Sequence, residues 1–128
     1  MKNNINKKIY LVAILSLLFL LFIGTSSFAA ISGLYMYNVN ADGKTCTIVN
    51  VHDSISGNVQ IPTSLNGYTV TQIGESAFAG KSNITSITVP GTVEVIGHAA
   101  FAGCNNLSEV NLNKGLKEIR RICVWRYK

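Results

Sequence analysis

The chain is poor in the residue types from which catalytic and metal sites are built. Only 13% of its 128 residues are charged, and it carries two histidines, three cysteines and a single tryptophan. No paired carboxylates, no glycine-rich phosphate loop and no His/Cys cluster occur, so hydrolysis, nucleotide binding and structural zinc find no support. No catalytic residue, metal ligand or cofactor is expected, and the chain is read as a non-enzyme. Cys46, Cys104 and Cys123 sit at no metal-ligand spacing, and their odd number allows at most one disulfide. Buried or half-buried thiols are the expectation. His52-Asp53-Ser54 holds the letters of a hydrolase triad, but triads are built from residues converging in space, and a polar turn after a strand is expected here.

Acidic residues are also few, six against eleven basic ones, giving a formal charge of +5. That excess is local. Lys2, Lys7 and Lys8 precede the apolar run from Ile9 to Ile23, and Ser27-Phe28-Ala29 follows it with small residues at the two cleavage-determining positions. This is the pattern of an export signal, so residues 1–29 are read as a cleaved signal helix, cut after Ala29. The run is short for a bilayer, which takes about 20 residues. Six of the eight remaining basic groups fall in residues 114–128, leaving residues 30–113 net negative. A basic tail on an exported chain points to anionic lipid or polymer, not to nucleic acid.

What the chain does have is a repeat. Residues 68–90, YTVTQIGESAFAGKSNITSITVP, return shifted by 23 as residues 91–113, GTVEVIGHAAFAGCNNLSEVNLN. Ile73-Gly74 recurs as Ile96-Gly97, Ala77-Phe78-Ala79-Gly80 as Ala100-Phe101-Ala102-Gly103, and Asn83 as Asn106. Each copy carries an apolar-x-x-apolar-x-apolar core, Ile84-x-x-Ile87-x-Val89 and then Leu107-x-x-Val110-x-Leu112. A period of about 20 to 29 residues with that core marks a leucine-rich-repeat solenoid. The fold expected is mainly β: about two and a half 23-residue coils of short strands with one helical turn each, capped by an N-terminal β-hairpin.

Within a coil, Ile84 to Val89 alternates as a short strand, and Val93 to Ile96 makes a second extended segment. Gly97 to Gly103 is expected to form the compact helical turn that drops Phe101 into the coil, with Gly80 and Gly103 ending it in a left-handed conformation. Stacking should bury Phe78 on Phe101 and Ile84 on Leu107. Upstream, Leu34 to Val39 and Thr45 to Val51 flank an Asp42-Gly43 turn and read as the capping hairpin. Val59-x-Ile61-Pro62 resembles Ile87-x-Val89-Pro90 and starts a first partial coil, with an inserted turn around Asn66-Gly67. Residues 30–67 are therefore assigned to the cap and partial coil, 68–119 to the repeats, and 120–128 to a non-repeat basic tail. Leu116 and Ile119 keep the pattern, but Arg120, Val124 and Arg126 replace the expected Gly, Phe and Gly. A broken or truncated reading frame is the expectation there.

The segments Ile-Gly-x-x-Ala-Phe-x-Gly-Cys-x-x-Leu at 96–107, its twin at 73–84, and Pro-x-x-Leu-Asn-Gly-Tyr-x-Val-Thr-x-Ile-Gly at 62–74 resemble the BspA-like leucine-rich-repeat family. The resemblance covers about residues 57–119. It implies a right-handed solenoid in a bacterial surface protein that serves as an adhesin or interaction module for host matrix, other cells or polysaccharide, without catalysis.

The surface such a fold offers is the outward row of stacked strands: Gln60, Thr88 and Asn111, flanked by Ser86 and Glu109. These five are the candidate ligand-binding residues, for a cell-surface protein or a glycan. Asn83-Ile84-Thr85 and Asn106-Leu107-Ser108 match a glycosylation sequon, but one asparagine per turn bonding nearby backbone explains both. A secreted or cell-surface adhesion module is the function expected. The rival is a small secreted protein whose cationic tail associates with anionic membranes. Self-association through an uncovered C-terminal coil is also expected.

Overall fold

The computed structural model describes residues 29–121, all in strands, turns and connections. The expected signal helix up to residue 28, Cys123 and the tail from residue 122 lie outside the described residues. Ten short strands run in order: β1 (Ala30–Ser32), β2 (Tyr35–Val39), β3 (Thr45–Val51), β4 (Gly57–Gln60), β5 (Ser64–Leu65), β6 (Tyr68–Ile73), β7 (Ile84–Val89), β8 (Val95–Ile96), β9 (Glu109–Leu112) and β10 (Glu118–Ile119). They form two sheets. One has the order β1-β2-β3-β6-β8-β10 with β5 beside β6, and the other is β4-β7-β9.

Parallel pairing carries the repeat from coil to coil. Ile48, Ile73, Ile96 and Ile119 lie opposite one another across β3, β6, β8 and β10. Val59, Ile87 and Val110 do the same across β4, β7 and β9. From Ile73 and Ile87 onward a 23-residue shift in sequence has become one strand spacing in space; the first steps, from Ile48 and Val59, are longer. The antiparallel pairs β1–β2 and β2–β3 extend the first sheet beyond β6. The turn inserted before β6 is a second small hairpin, β5–β6, with Asn66 at φ 48° and Gly67 at φ 89°, the two positive values that a tight hairpin of this twist demands.

The third side of each coil differs from the expectation. Residues 74–83 and 97–106 form successive tight turns, and no helix occurs among the described residues. The helical turn expected at Gly97 to Gly103 is therefore corrected. Ser76 at φ 55° and Ala99 at φ 53° are left-handed, which interrupts a right-handed helix at its third residue. Gly80 and Gly103, at φ 74° and 72°, end the turns as the sequence implied. The freed amides bond along the solenoid. Ser76 N–H donates to His98 O at 3.0 Å, Phe78 N–H to Ala100 O at 2.8 Å and Gly80 N–H to Ala102 O at 2.7 Å. Neighbouring coils stand about 4.8 Å apart where strands pair, whereas packed helices need about 8 to 10 Å. A helical third side would splay the coils; chained turns keep all three sides at one spacing.

The core follows from that spacing. Phe78 is fully buried and lies 5.3 Å, ring centre to ring centre, from Phe101 in the next coil. Ile84, Ile87 and Val89 fill the corner beneath the second sheet, and none of the buried residues in the described part is polar or charged. The level of β3 and β4 has a shorter third side, His52 to Ser56, whose buried side chain is Ile55. At the far end Leu112 and Ile119 stand 47% and 42% exposed.

The Ile-Gly pair of each repeat records the closeness of the coils. A Cβ on Gly97 would sit 2.6 Å from Glu75 N and 2.7 Å from Gly74 C, both backbone atoms that cannot move aside. Gly80 instead faces open space and is demanded only by its dihedral. Gly97→Ala is therefore expected to destabilise the chain by about 3 kcal/mol through overpacking, and Gly80→Ala by about 1 kcal/mol. Urea unfolding of both variants beside the parent tests the order.

Candidate binding face

The second sheet presents Val59, Ile87, Val89 and Val110 to the core and the residues between them to solvent. Register brings Gln60 opposite Thr88 and Thr88 opposite Asn111, so these three form one row across β4, β7 and β9. Ser86 lies opposite Glu109 in a second, parallel row. All five candidate residues thus share one face. The second row has a further member, Asn58, which lies opposite Ser86 and is exposed. Sequence reasoning missed it because the Val59-x-Ile61 match located the partial coil only from its inward residues. The alternation of a strand, applied one step earlier, would have found Asn58.

The face is polar and nearly uncharged. Its one ionisable side chain is Glu109, whose Oε1 accepts a hydrogen bond from Asn111 Nδ2 at 3.1 Å. Tyr35, from β2, reaches the N-terminal edge of the face, where its hydroxyl donates to Gln60 O at 3.3 Å. Burial raises the pKa of that hydroxyl above the ordinary tyrosine value.

The other chemistry-bearing residues are dispersed and structural. His52 and Ser54 bond each other, Nδ1 to Oγ at 2.8 Å, and Nδ1 also accepts the Ser54 N–H at 3.2 Å. Asp53 hydrogen-bonds neither of them and pairs with Lys81, whose side chain is only 12% exposed. The three letters of a triad therefore make a turn closed by Ile55 N–H to His52 O at 3.1 Å. His98 is exposed, 4.0 Å from Glu75 one coil back. Asn106 Nδ2 donates to Ser82 O at 2.7 Å, tying its turn to the preceding coil; Asn83, equally exposed, makes no such side-chain bond among the described residues, so the expected backbone bond holds for one asparagine of the two. Cys46 is buried and Cys104 half-buried, both as free thiols, and burial pushes each thiol pKa up. Among the described residues no three of His, Cys, Asp and Glu are grouped to hold a metal ion.

Stacked coils of short parallel strands on a 23-residue period define a leucine-rich-repeat β-solenoid. Comparison with known proteins makes the assignment specific. Residues 71–126 match the BspA type leucine rich repeat region (6 copies). A leucine-rich repeat protein from Bacteroides capillosus is similar at 39% identity and a TM-score of 0.66, over 73% of this chain and 72% of its own. The chain belongs to the BspA-type leucine-rich-repeat family. A leucine rich cell surface protein from Faecalibacterium prausnitzii is similar at 30% identity and a TM-score of 0.65, over 75% of this chain and 27% of its own. A leucine rich repeat protein of T. pallidum matches at 28% identity and a TM-score of 0.64, over 72% and 42%. No curated protein sequence matches.

Three carboxylates staple the fold's surface. Asp42 accepts the Lys44 and Thr45 N–H groups at 2.8 and 2.9 Å in the β2–β3 turn, and these bonds hold its carboxyl below the ordinary range. Hydrogen bonds from Lys81 and Arg120 do the same for Asp53 and Glu118. A depressed folded pKa means that the unfolded chain binds these protons more tightly. The stability they add is complete above the ordinary carboxylate range, about pH 4, and is lost as pH falls through the folded values. The urea midpoint is expected to drop between pH 5 and pH 2, and Asp42→Ala to lower it at pH 7 while flattening that acid limb. A variant as steep as the parent would remove Asp42 from this role.

Proposed function

We propose that this chain is an exported, surface-displayed interaction module that binds through the outward face of β4, β7 and β9. The observation that carries the reading is the alignment of Asn58, Gln60, Ser86, Thr88, Glu109 and Asn111 into two rows on one face. Residues that the core does not need are free to vary, yet here all six are hydrogen-bonding. The basic, apolar, small-residue pattern of residues 1–29 supports export, and the name of the Faecalibacterium relative supports display at a cell surface. Adhesion to protein or glycan on another surface is the activity that such a face, in an array of repeats, performs. Stacking makes it additive: each further coil lengthens both rows by one residue.

The cationic-tail alternative gains nothing from the described part of the tail. Of the four described basic residues from 114 to 121, Lys117 pairs with Glu94 at 3.0 Å and Arg120 with Glu118 at 2.8 Å, so two of these charges already have partners. Leu112 and Ile119, exposed at the end of the stack, are the apolar contact through which the isolated chain takes a second copy.

Microspheres coated with the protein are expected to adhere to epithelial monolayers or mucin-coated plates. Thr88→Arg, at the centre of the face, should abolish adhesion while leaving the unfolding midpoint within about 0.5 kcal/mol of the parent. Undiminished adhesion by that variant would move the binding surface elsewhere.

A further inference from the structure

Two rows of short polar side chains set a grid. Strands stand about 4.8 Å apart, and outward residues on one strand recur every ~6.6 Å. Gln60, Thr88 and Asn111 thus offer one hydrogen-bonding group per strand spacing, with Asn58, Ser86 and Glu109 alongside. The grid has no outward apolar residue and no cation. It does end on an aromatic ring: β4 is the first strand of its sheet, and Tyr35 hydrogen-bonds the Gln60 carbonyl on that edge. The Tyr35 ring is half-buried and packs against the core, so it is held in place at the head of the row.

We propose that this face takes a neutral, extended glycan lying across the strands, with its terminal sugar against Tyr35. The inference rests on the strand face being the binding surface and names the ligand class for it. Sugar hydroxyls both donate and accept, as do the amide and hydroxyl side chains of the grid, so each pairs without a fixed polarity. One pyranose of an extended chain is comparable in length to the strand spacing. Successive sugars therefore meet Gln60, Thr88 and Asn111 in turn. A protein partner is held instead by aromatic and arginine anchors seated in desolvated pockets, which a flat polar grid does not supply. An anionic polymer would meet Glu109 and no cation. Tyr35 contributes what the grid lacks, an apolar ring face for sugar C–H groups, beside a polar tip.

The test is an amide-resonance titration of the full chain, without its signal segment, using cellohexaose, laminarihexaose and linear mannohexaose as probes. At least one is expected to shift β4, β7, β9 and Tyr35 saturably. Tyr35→Ala should weaken that binding by about tenfold, and Tyr35→Phe, which keeps the ring and controls for folding, by no more than about threefold. No saturable shift with any of the three, or shifts that leave Tyr35 unmoved, overturns the inference. Digestion of the target surface with cellulase, laminarinase and mannanase together separates its failure from that of the face. Adhesion that survives digestion but is lost in Thr88→Arg leaves the face as a peptide-binding surface and removes the glycan; adhesion indifferent to Thr88→Arg removes both.

Discussion

Backbone hydrogen bonding between successive coils, at one strand spacing on every side, is the constraint from which the rest of this structure follows. A single coil of 23 residues buries almost nothing, because its apolar side chains point into a space that only the next coil closes. Two sides meet the constraint by parallel strand pairing, the third by turns whose amides reach the neighbouring coil. The stacking of Phe78 on Phe101 and the columns of isoleucine through the core are consequences of equal spacing. So is glycine at positions 74 and 97, where the backbones of adjacent coils approach too closely for a side chain.

The same constraint explains which parts of the molecule were legible in the sequence. The repeat fixes equivalence: residues 23 apart must lie opposite each other, so the registers Ile73 with Ile96 and Thr88 with Asn111 could be read before any coordinates. Alternation fixes facing, which is why the five candidate surface residues fall on one side. The third side was misread for a definite reason. Ala-Ala-Phe-Ala has high helical propensity, and local propensity carries no information about how near the next coil must come. The period does not decide it, because a coil of this length also accommodates a helix when the stack curves; what excludes the helix here is the left-handed backbone at Ser76 and Ala99. Two further features depend on contacts without a repeat partner. Strand β1 follows the apolar run from Ile9 to Ile23, which dominates the local composition, and the bond from Tyr35 to Gln60 joins residues from different sheets.

Function follows from what the stacking leaves free. A solenoid built this way has an interior of one composition and an exterior on which each coil may change its side chains at little cost in stability. The outward rows of β4, β7 and β9 use that freedom for amides, hydroxyls and one carboxylate, while the reactive side chains elsewhere are tied into turns. His52 is bonded to Ser54, Asp53 to Lys81, and burial pushes the pKa of both described thiols up. What the described surface repeats at a fixed interval is a set of hydrogen-bonding side chains.

Amide hydrogen exchange tests the central claim most directly, because it reads the third side residue by residue. The account predicts that the amides of Ser76, Phe78 and Gly80, bonded to the next coil, exchange as slowly as those of Ile87 and Val89 in the paired strands, and open only with global unfolding. Exchange of those three amides at the rate of the Asp42 to Lys44 turn would contradict it, and would mean that the coils are held by their two sheets alone.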